Sequence, residues 1–327
     1  MTYDPDNNLQ LTLLTEQPKL SEDGNSVTFK LKEGLKFSDG SDLDANDVKF
    51  TFTLMADPEY VGQQNDGTFN YIQGWDEYQK GDAKEVSGIV VENPTTVTFK
   101  FATPNIDAVN GIGTFWIMSD TQFPYEKGKM GEYKSNAEAT LGSNAYMVKE
   151  GSFDKAAGIA LVKNDKFPEA DQYPVSQVVI KKIATATELS SLESGDINLL
   201  PTTIESTIIG PASVKENISF NHYFRAGEGY MGFNCKQGPA SDPAVRQALA
   251  MATNRKEFVE GFYAFPEASE DVKSIGLGYV PTIFWNPIAS TMGSYVTGKE
   301  KLDGMVTYDF DIEKAKQTLE DAGWKVG

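Results

Sequence analysis

His222 and Cys235 are the only histidine and the only cysteine in the chain. A Ser-His-Asp triad around His222 would need a nucleophile elbow, and no G-x-S-x-G is present. Zinc sites combine several His and Cys ligands, so one of each is too few. His222 is therefore read as having no catalytic role. Carboxylates are numerous, but their number follows from an acidic composition, and no pair stands out as a glycosidase acid and base. Residues 293–300, GSYVTGKE, come within one residue of a phosphate-binding P-loop. The last position must be Ser or Thr to reach magnesium, and Glu300 would repel phosphate, so a surface loop is expected. Asp4, Asp6 and Asn8, and separately Asp39, Asp42 and Asp44, have the density of a calcium loop. Both runs lack the turn glycine and the closing glutamate of an EF-hand. No catalytic residue, metal ligand or cofactor is assigned.

The elements follow from pattern. Val27, Phe29 and Leu31 alternate with Thr28 and Lys30, a strand with one buried face. Val97 to Phe101 repeats the alternation, and the two are expected in one sheet. Ile89 to Val91 precedes the second strand across the turn residues Asn93-Pro94-Thr95, which makes a hairpin. Asp39-Gly40 suits a turn. Asp44 suits a helix N-cap, with Asp47 in the first turn, where the helix dipole favours a negative charge, and Val48 and Phe52 on one face. Residues 62–84 give no assignable pattern, and 120–140 look irregular or weakly helical. Strand signals return at 145–148, 159–162 and 178–180. Thr187 opens a short helix closed by Gly195, and a strand is expected at 196–199. Asp242-Pro243 opens a helix carrying Val245, Leu249, Ala252, Val259 and Phe262. A last helix runs from Asp311 to Gly323. Cys235 follows Gly232-Phe233-Asn234 in an apolar strand and is expected in or near a core.

The chain has 327 residues, room for about two domains at roughly 150 residues each. Hydrophobic residues are 40% and charged residues 23%, a globular composition. The formal net charge of −18 argues against nucleic acid and against an anionic membrane surface as direct partners. No apolar run approaches the ~18 residues of a transmembrane helix, and no signal peptide is recognisable.

Residues 29–52, FKLKEGLKFSDGSDLDANDVKFTF, resemble the opening of the smaller subdomain in family 5 extracellular solute-binding proteins. These are the peptide-binding and nickel-binding components of ABC importers. Phe29, Leu31, Gly34, Phe37, Asp39, Gly40, Ala45, Asp47 and Val48 fill that family's "F-L-x-x-G-x-x-F-x-D-G … A-x-D-V". Four later stretches match in family order. Residues 141–146 and 159–164 resemble the "G-T-G-P-Y … I-x-L-x-x-N" hairpin, with Ser143 and Asn144-Ala145 replacing Thr and Gly-Pro. Residues 192–197 resemble "L-x-x-G-x-I-D", with Asn198 for the last Asp. Tyr230 to Asn234 and Asp242 to Leu249 resemble "Y-x-x-F-N … D-x-x-V-R-Q-A-L", and Asn254-Arg255 stands for Asp-Arg. Residues 315–324, AKQTLEDAGW, resemble the "A-x-x-L-L-x-x-A-G-W" helix.

The resemblance implies a mixed α/β (α+β) fold of the type II, two-lobe periplasmic-binding-protein architecture, here incomplete. Family members begin with a signal or lipobox and a first strand, and continue well past the "A-G-W" helix. The chain is therefore expected to be a fragment that does not bind the native ligand tightly by itself. The implied divisions are a lead-in from the large lobe at 1–25, the small subdomain at 26–140, the large-lobe sheet at 141–228, and a crossover strand with the start of the second lobe at 229–327. The implied function is capture of a small solute, first of all a peptide, for delivery to a membrane permease. Nickel chelates, oligosaccharides and other small solutes stay open. The implied protein is a monomer without enzymatic activity, either a cell-surface lipoprotein or periplasmic. The crossover strand would run beside the cleft, so Tyr230 and Asn234 are candidate ligand residues. For Tyr230 a core position is an equal alternative, and Phe233 is read as core. Trp116 and Trp285, in apolar segments containing Gly or Pro, are candidates to line a pocket. Arg246 is read as structural, although its fork suits a ligand carboxylate. A secreted hydrolase and a surface module without a pocket are the alternatives.

Overall fold

The computed structural model describes residues 1–3, 9–62, 68–135, 141–201, 203, 206–221, 230–263, 303–304 and 306–325. The chain divides into Met1–Lys182 and Ile183–Gly327.

In the first unit, alternation builds the sheet that carries the core. The short strands β1 (Thr2–Tyr3) and β2 (Leu9–Gln10) pair with each other. Strand β3 (Ser26–Lys30) leads into helix α1 (Ala45–Met55) and helix α2 (Trp75–Lys80). Strands β4 (Ile89–Asn93) and β5 (Thr96–Lys100) follow as the expected hairpin, and the antiparallel order is β3-β5-β4. The turn is made by Asn93, whose side-chain oxygen accepts from the Thr95 amide and hydroxyl. Val27 stands opposite Phe99 and Phe29 opposite Val97, and all four are buried. The two look-alike strands are thus direct neighbours. Helix α2 falls in the stretch without a readable pattern, and it buries Trp75 and Tyr78.

Helix α1 lies on this sheet. Asp44 caps it, and Asp47 closes a capping box by accepting from the Asp44 amide at 2.8 Å. Val48, Phe52 and Met55 share its apolar face. Phe52 is fully buried and meets the rings of Phe99, Phe69 and Phe115 at 5.0, 5.2 and 5.8 Å. Helices α3 (Ala108–Gly113) and α4 (Gly131–Ser135) also belong to this unit.

A second antiparallel sheet, β6 (Tyr146–Val148), β7 (Gly158–Lys163) and β8 (Gln177–Lys181), runs in chain order. The asparagine that follows β7 has a physical reason here. Asn164 is fully buried, its side-chain nitrogen donates to the Asn144 carbonyl at 2.8 Å, and its oxygen accepts from the Lys166 amide. Gly158 is at φ 129°, and a Cβ there would overlap the Ile180 carbonyl oxygen across the ladder.

The regular elements described in the second unit are helices, joined by irregular stretches. It contains α5 (Glu188–Glu193), α6 (Ser206–Ala212), α7 (Pro243–Ala252), α8 (Arg255–Tyr263) and α9 (Ile312–Asp321). Ala248 and Met251 of α7 pack against Ala315 of α9. Asp242 accepts from the Ala244 amide as the N-cap of α7, and its other oxygen accepts from the Trp324 indole at 2.9 Å. The "D-x-x-V-R-Q-A-L" and "A-G-W" stretches are therefore tied to each other through Asp242 and Trp324.

Three expectations are corrected. The apolar pattern from Val245 to Phe262 belongs to two helices. Thr253 leaves the helical basin (φ −88°, ψ 109°), and the Asn254 side chain restarts a helix by accepting from the Glu257 amide. Residues 196–199 and 230–234 form no strand, because neither has a ladder partner among the described residues. Cys235 is exposed, since without a strand nothing places it in a core. His222, Asp4, Asp6, Asn8, Trp285 and residues 293–300 lie outside the described residues.

Truncating Phe52 to alanine leaves a void among three rings. Phe52→Ala is expected to destabilise this unit by about 3–5 kcal/mol, read as a fall in the urea midpoint.

Candidate functional site

Residues 114–130 cross the surface of the first unit as a strap with no helix and no ladder beyond one bridge between Glu126 and Lys129. So long an irregular stretch needs partners for its peptide groups. Helix α1 and the turn after it supply them. Thr51, buried within α1, donates its hydroxyl to the Asp47 carbonyl at 2.8 Å and accepts from the Met118 amide at 2.8 Å. Asp47 Oδ1 accepts from the Asp120 amide at 2.9 Å, while Oδ2 holds the Asp44 amide. Asp57 Oδ2 accepts from the Tyr125 hydroxyl at 2.7 Å and from the Gly128 amide at 2.8 Å. The Tyr78 hydroxyl lies 2.9 Å from that of Tyr125, and Lys127 Nζ sits 3.8 Å from the centre of the Tyr78 ring. From α4, the Tyr133 hydroxyl lies 3.2 Å from the carbonyl oxygens of Ser119 and Phe123.

The strap therefore has an inner and an outer side. Phe115 and Ile117, just before the pinned positions, pack against the core. Trp116, between them in sequence, is 74% exposed. It is the candidate ligand residue that the first unit contains. Tyr230 (84% exposed) and Asn234 belong to the second unit, where Phe233 is half-buried. The Asn234 side chain accepts from the Lys236 amide in a turn. The Arg246 guanidinium donates to the carbonyls of Ala240 and Ser241, which is the structural role expected of it. Asp39 accepts from the Ser41 amide and hydroxyl, so the aspartate of the opening motif builds a turn. Among the described residues, no group of three His, Cys, Asp or Glu side chains is placed to hold a metal ion. A partly open apolar hollow of about 40 Å³ is lined by Leu13, Phe29, Leu31, Ile112 and Phe115 among others. It is far below the ~300 Å³ of a typical ligand pocket.

Sequence reasoning missed Thr51 and the bridging role of Asp47. A signal was present: Asp47 and Thr51 are polar and four residues apart, on the helix that carries Val48 and Phe52. Electrostatics marks Asp47 too. It is 3% exposed, and burial raises its carboxyl from 3.8 to about 6. The two backbone amides act in the opposite direction, and the negative charges of Asp120 and Asp44 push it up further.

The family profile "Bacterial extracellular solute-binding proteins, family 5 Middle" matches residues 9–327. The chain is 26% identical to heme-binding protein A of Haemophilus influenzae over 326 residues, 96% of this chain and 54% of that protein. It is 25% identical to the oligopeptide-binding protein AppA of Bacillus subtilis, over 97% of this chain and 52% of that protein. The chain thus spans about half the length of the curated relatives it matches. Among solved structures, a putative peptide binding protein AppA from Clostridium difficile superposes with a TM-score of 0.72 at 25% identity, covering 99% of this chain and 60% of that one. The type II periplasmic-binding-protein fold expected from the motifs agrees with these likenesses. No described helix is long and apolar enough to cross a membrane.

The raised Asp47 carboxyl fixes the sign of a pH effect. The folded state holds this proton more tightly than the unfolded chain does. Its stabilising contribution is fully present below about pH 4 and is lost as pH rises through about 6. A shift of about two units is worth on the order of 3 kcal/mol. Asp47→Asn has no proton to exchange, so urea unfolding of this variant between about pH 4 and pH 7 is expected to lack that slope.

Proposed function

This chain belongs to the bacterial extracellular solute-binding proteins of family 5, and on that premise we propose that it captures a small solute, most simply a peptide, for an ABC importer. The observation that carries the reading is the family profile running unbroken over residues 9–327. In this reading the whole protein is a monomer that closes two lobes on its ligand by a hinge and then docks on a membrane permease. It works outside the cytoplasmic membrane, held by a lipid anchor or free in the periplasm, and binds without turnover. The divisions at 1–25, 26–140, 141–228 and 229–327 are part of the same proposal. Trp116, Tyr230, Asn234 and Trp285 are the proposed ligand contacts. Support for Trp116 comes from its exposure on a pinned strap, and support for Tyr230 from the exposure of its ring.

Peptide capture is favoured by the relative named as an oligopeptide-binding protein. The relative named as a heme-binding protein brings hemin as a second ligand class.

Native mass spectrometry of the full-length protein with random-sequence pentapeptides, and separately with hemin, tests both classes. Stoichiometric capture of intact pentapeptide is expected, and product formation would overturn the reading in favour of an enzyme. Trp116→Ala is expected to weaken capture several-fold, on the order of 1 kcal/mol for a lost aromatic contact.

A further inference from the structure

We propose that Thr51 and Asp47 are positioning residues for the ligand site, which hold residues 114–120 so that Trp116 faces solvent in one fixed orientation. The inference rests on the reading of Trp116 as a ligand contact. It adds two residues that touch no ligand themselves.

The geometry carries it. Phe115 and Ile117, on either side of Trp116, are packed on the core, and the backbone is then tied down twice within the next three residues. Both ties come from buried side chains on one helix: the Thr51 hydroxyl to the Met118 amide and the Asp47 carboxylate to the Asp120 amide. On the N-terminal side, the Thr114 and Phe115 amides donate to the Asn110 and Ile112 carbonyls at the end of α3. Trp116 thus sits on a bridge fixed at both ends. An aromatic side chain on fixed backbone loses less freedom when a ligand stacks on it than one on a loose loop. Thr51 is matched to this task. Its hydroxyl proton goes to the Asp47 carbonyl, which leaves its oxygen to accept from Met118. Valine has nearly the same shape and would leave the Met118 amide unmet.

The test has one arm without ligand and one with it, both on the full-length protein. Amide hydrogen exchange is followed at Met118, and at Gly128 as an internal control held by Asp57. In Thr51→Val the Met118 amide is expected to exchange roughly tenfold faster, with Gly128 unchanged and protection restored in Thr51→Ser. Should Thr51→Val fail to fold, Asp47→Ala, which keeps no acceptor, read at the Asp120 amide carries the same test. In the second arm, capture of random-sequence pentapeptides is expected to weaken in Thr51→Val about as much as in Trp116→Ala, with no further loss in the double variant and recovery in Thr51→Ser. An unchanged Met118 amide in Thr51→Val overturns the inference. So does faster exchange with undiminished capture, where Trp116→Ala does reduce capture. Unchanged capture in Trp116→Ala ends the ligand reading itself, and the exchange arm then decides whether these side chains hold the strap.

Discussion

A stretch of irregular backbone laid on a core must find partners for the peptide groups it buries or lose those hydrogen bonds. In this chain the constraint acts at residues 114–130, and most of what is particular to the first unit follows from it. Helix α1 is apolar where it meets the β3-β5-β4 sheet, through Val48, Phe52 and Met55. Where the strap crosses, it offers Thr51 and Asp47, and the turn beyond it offers Asp57. One helix therefore organises the unit twice, by burial on one side and by hydrogen bonding on the other. Each polar group on the second side is tolerated inside because the strap occupies it.

Asp47 shows how fine the balance is. As the third residue of a capping box it stands where the helix dipole favours a negative charge. As a buried group next to two other aspartates it stands where a charge is disfavoured. Two amide donors offset part of the second effect without cancelling it, which is why the carboxyl remains raised. Asparagine could accept one of the two amides but would turn its own NH₂ toward the other. The acid is the side chain that can serve the helix start and the strap together, at the cost of holding a charge inside at neutral pH.

Local rules made much of the fold legible. Alternation at Val27, Phe29 and Leu31, the Asn93-Pro94-Thr95 turn, and the caps at Asp44, Asp242 and Asp311 each act within a few residues, and each is where the sequence places it. The failures share a different cause. Residues 196–199 and 230–234 have strand-like composition, but a strand exists only with a neighbour, and composition does not name one. The break at Thr253 was hidden because the apolar spacing continues through it. Only the next helix's cap, Asn254, marks the place. Helix α2 is short enough for its two buried aromatics, Trp75 and Tyr78, to give no periodicity. The strap was unreadable because its partners, Met118 with Thr51 and Asp120 with Asp47, lie 67 and 73 residues apart.

Exposure alone does not distinguish Trp116. Single apolar side chains on a surface are ordinary, and Ile106 is even more exposed, at 86% against 74%. What separates the two is the backbone beneath them. Beside Ile106, the Asp107 amide is held by the side chain of its near neighbour Asn105, and the Asn105 amide donates to the Gly24 carbonyl, so no buried side chain of another element ties this turn. Around Trp116, Phe115 and Ile117 are fixed to the core, and the next peptide groups are bonded to buried side chains of another element. If holding the strap were the whole purpose, residue 116 could be polar at no loss to any of those bonds. A large indole pointing outward from a fixed backbone makes sense if something outside the unit meets it, and in the proposed reading that occupant is the solute.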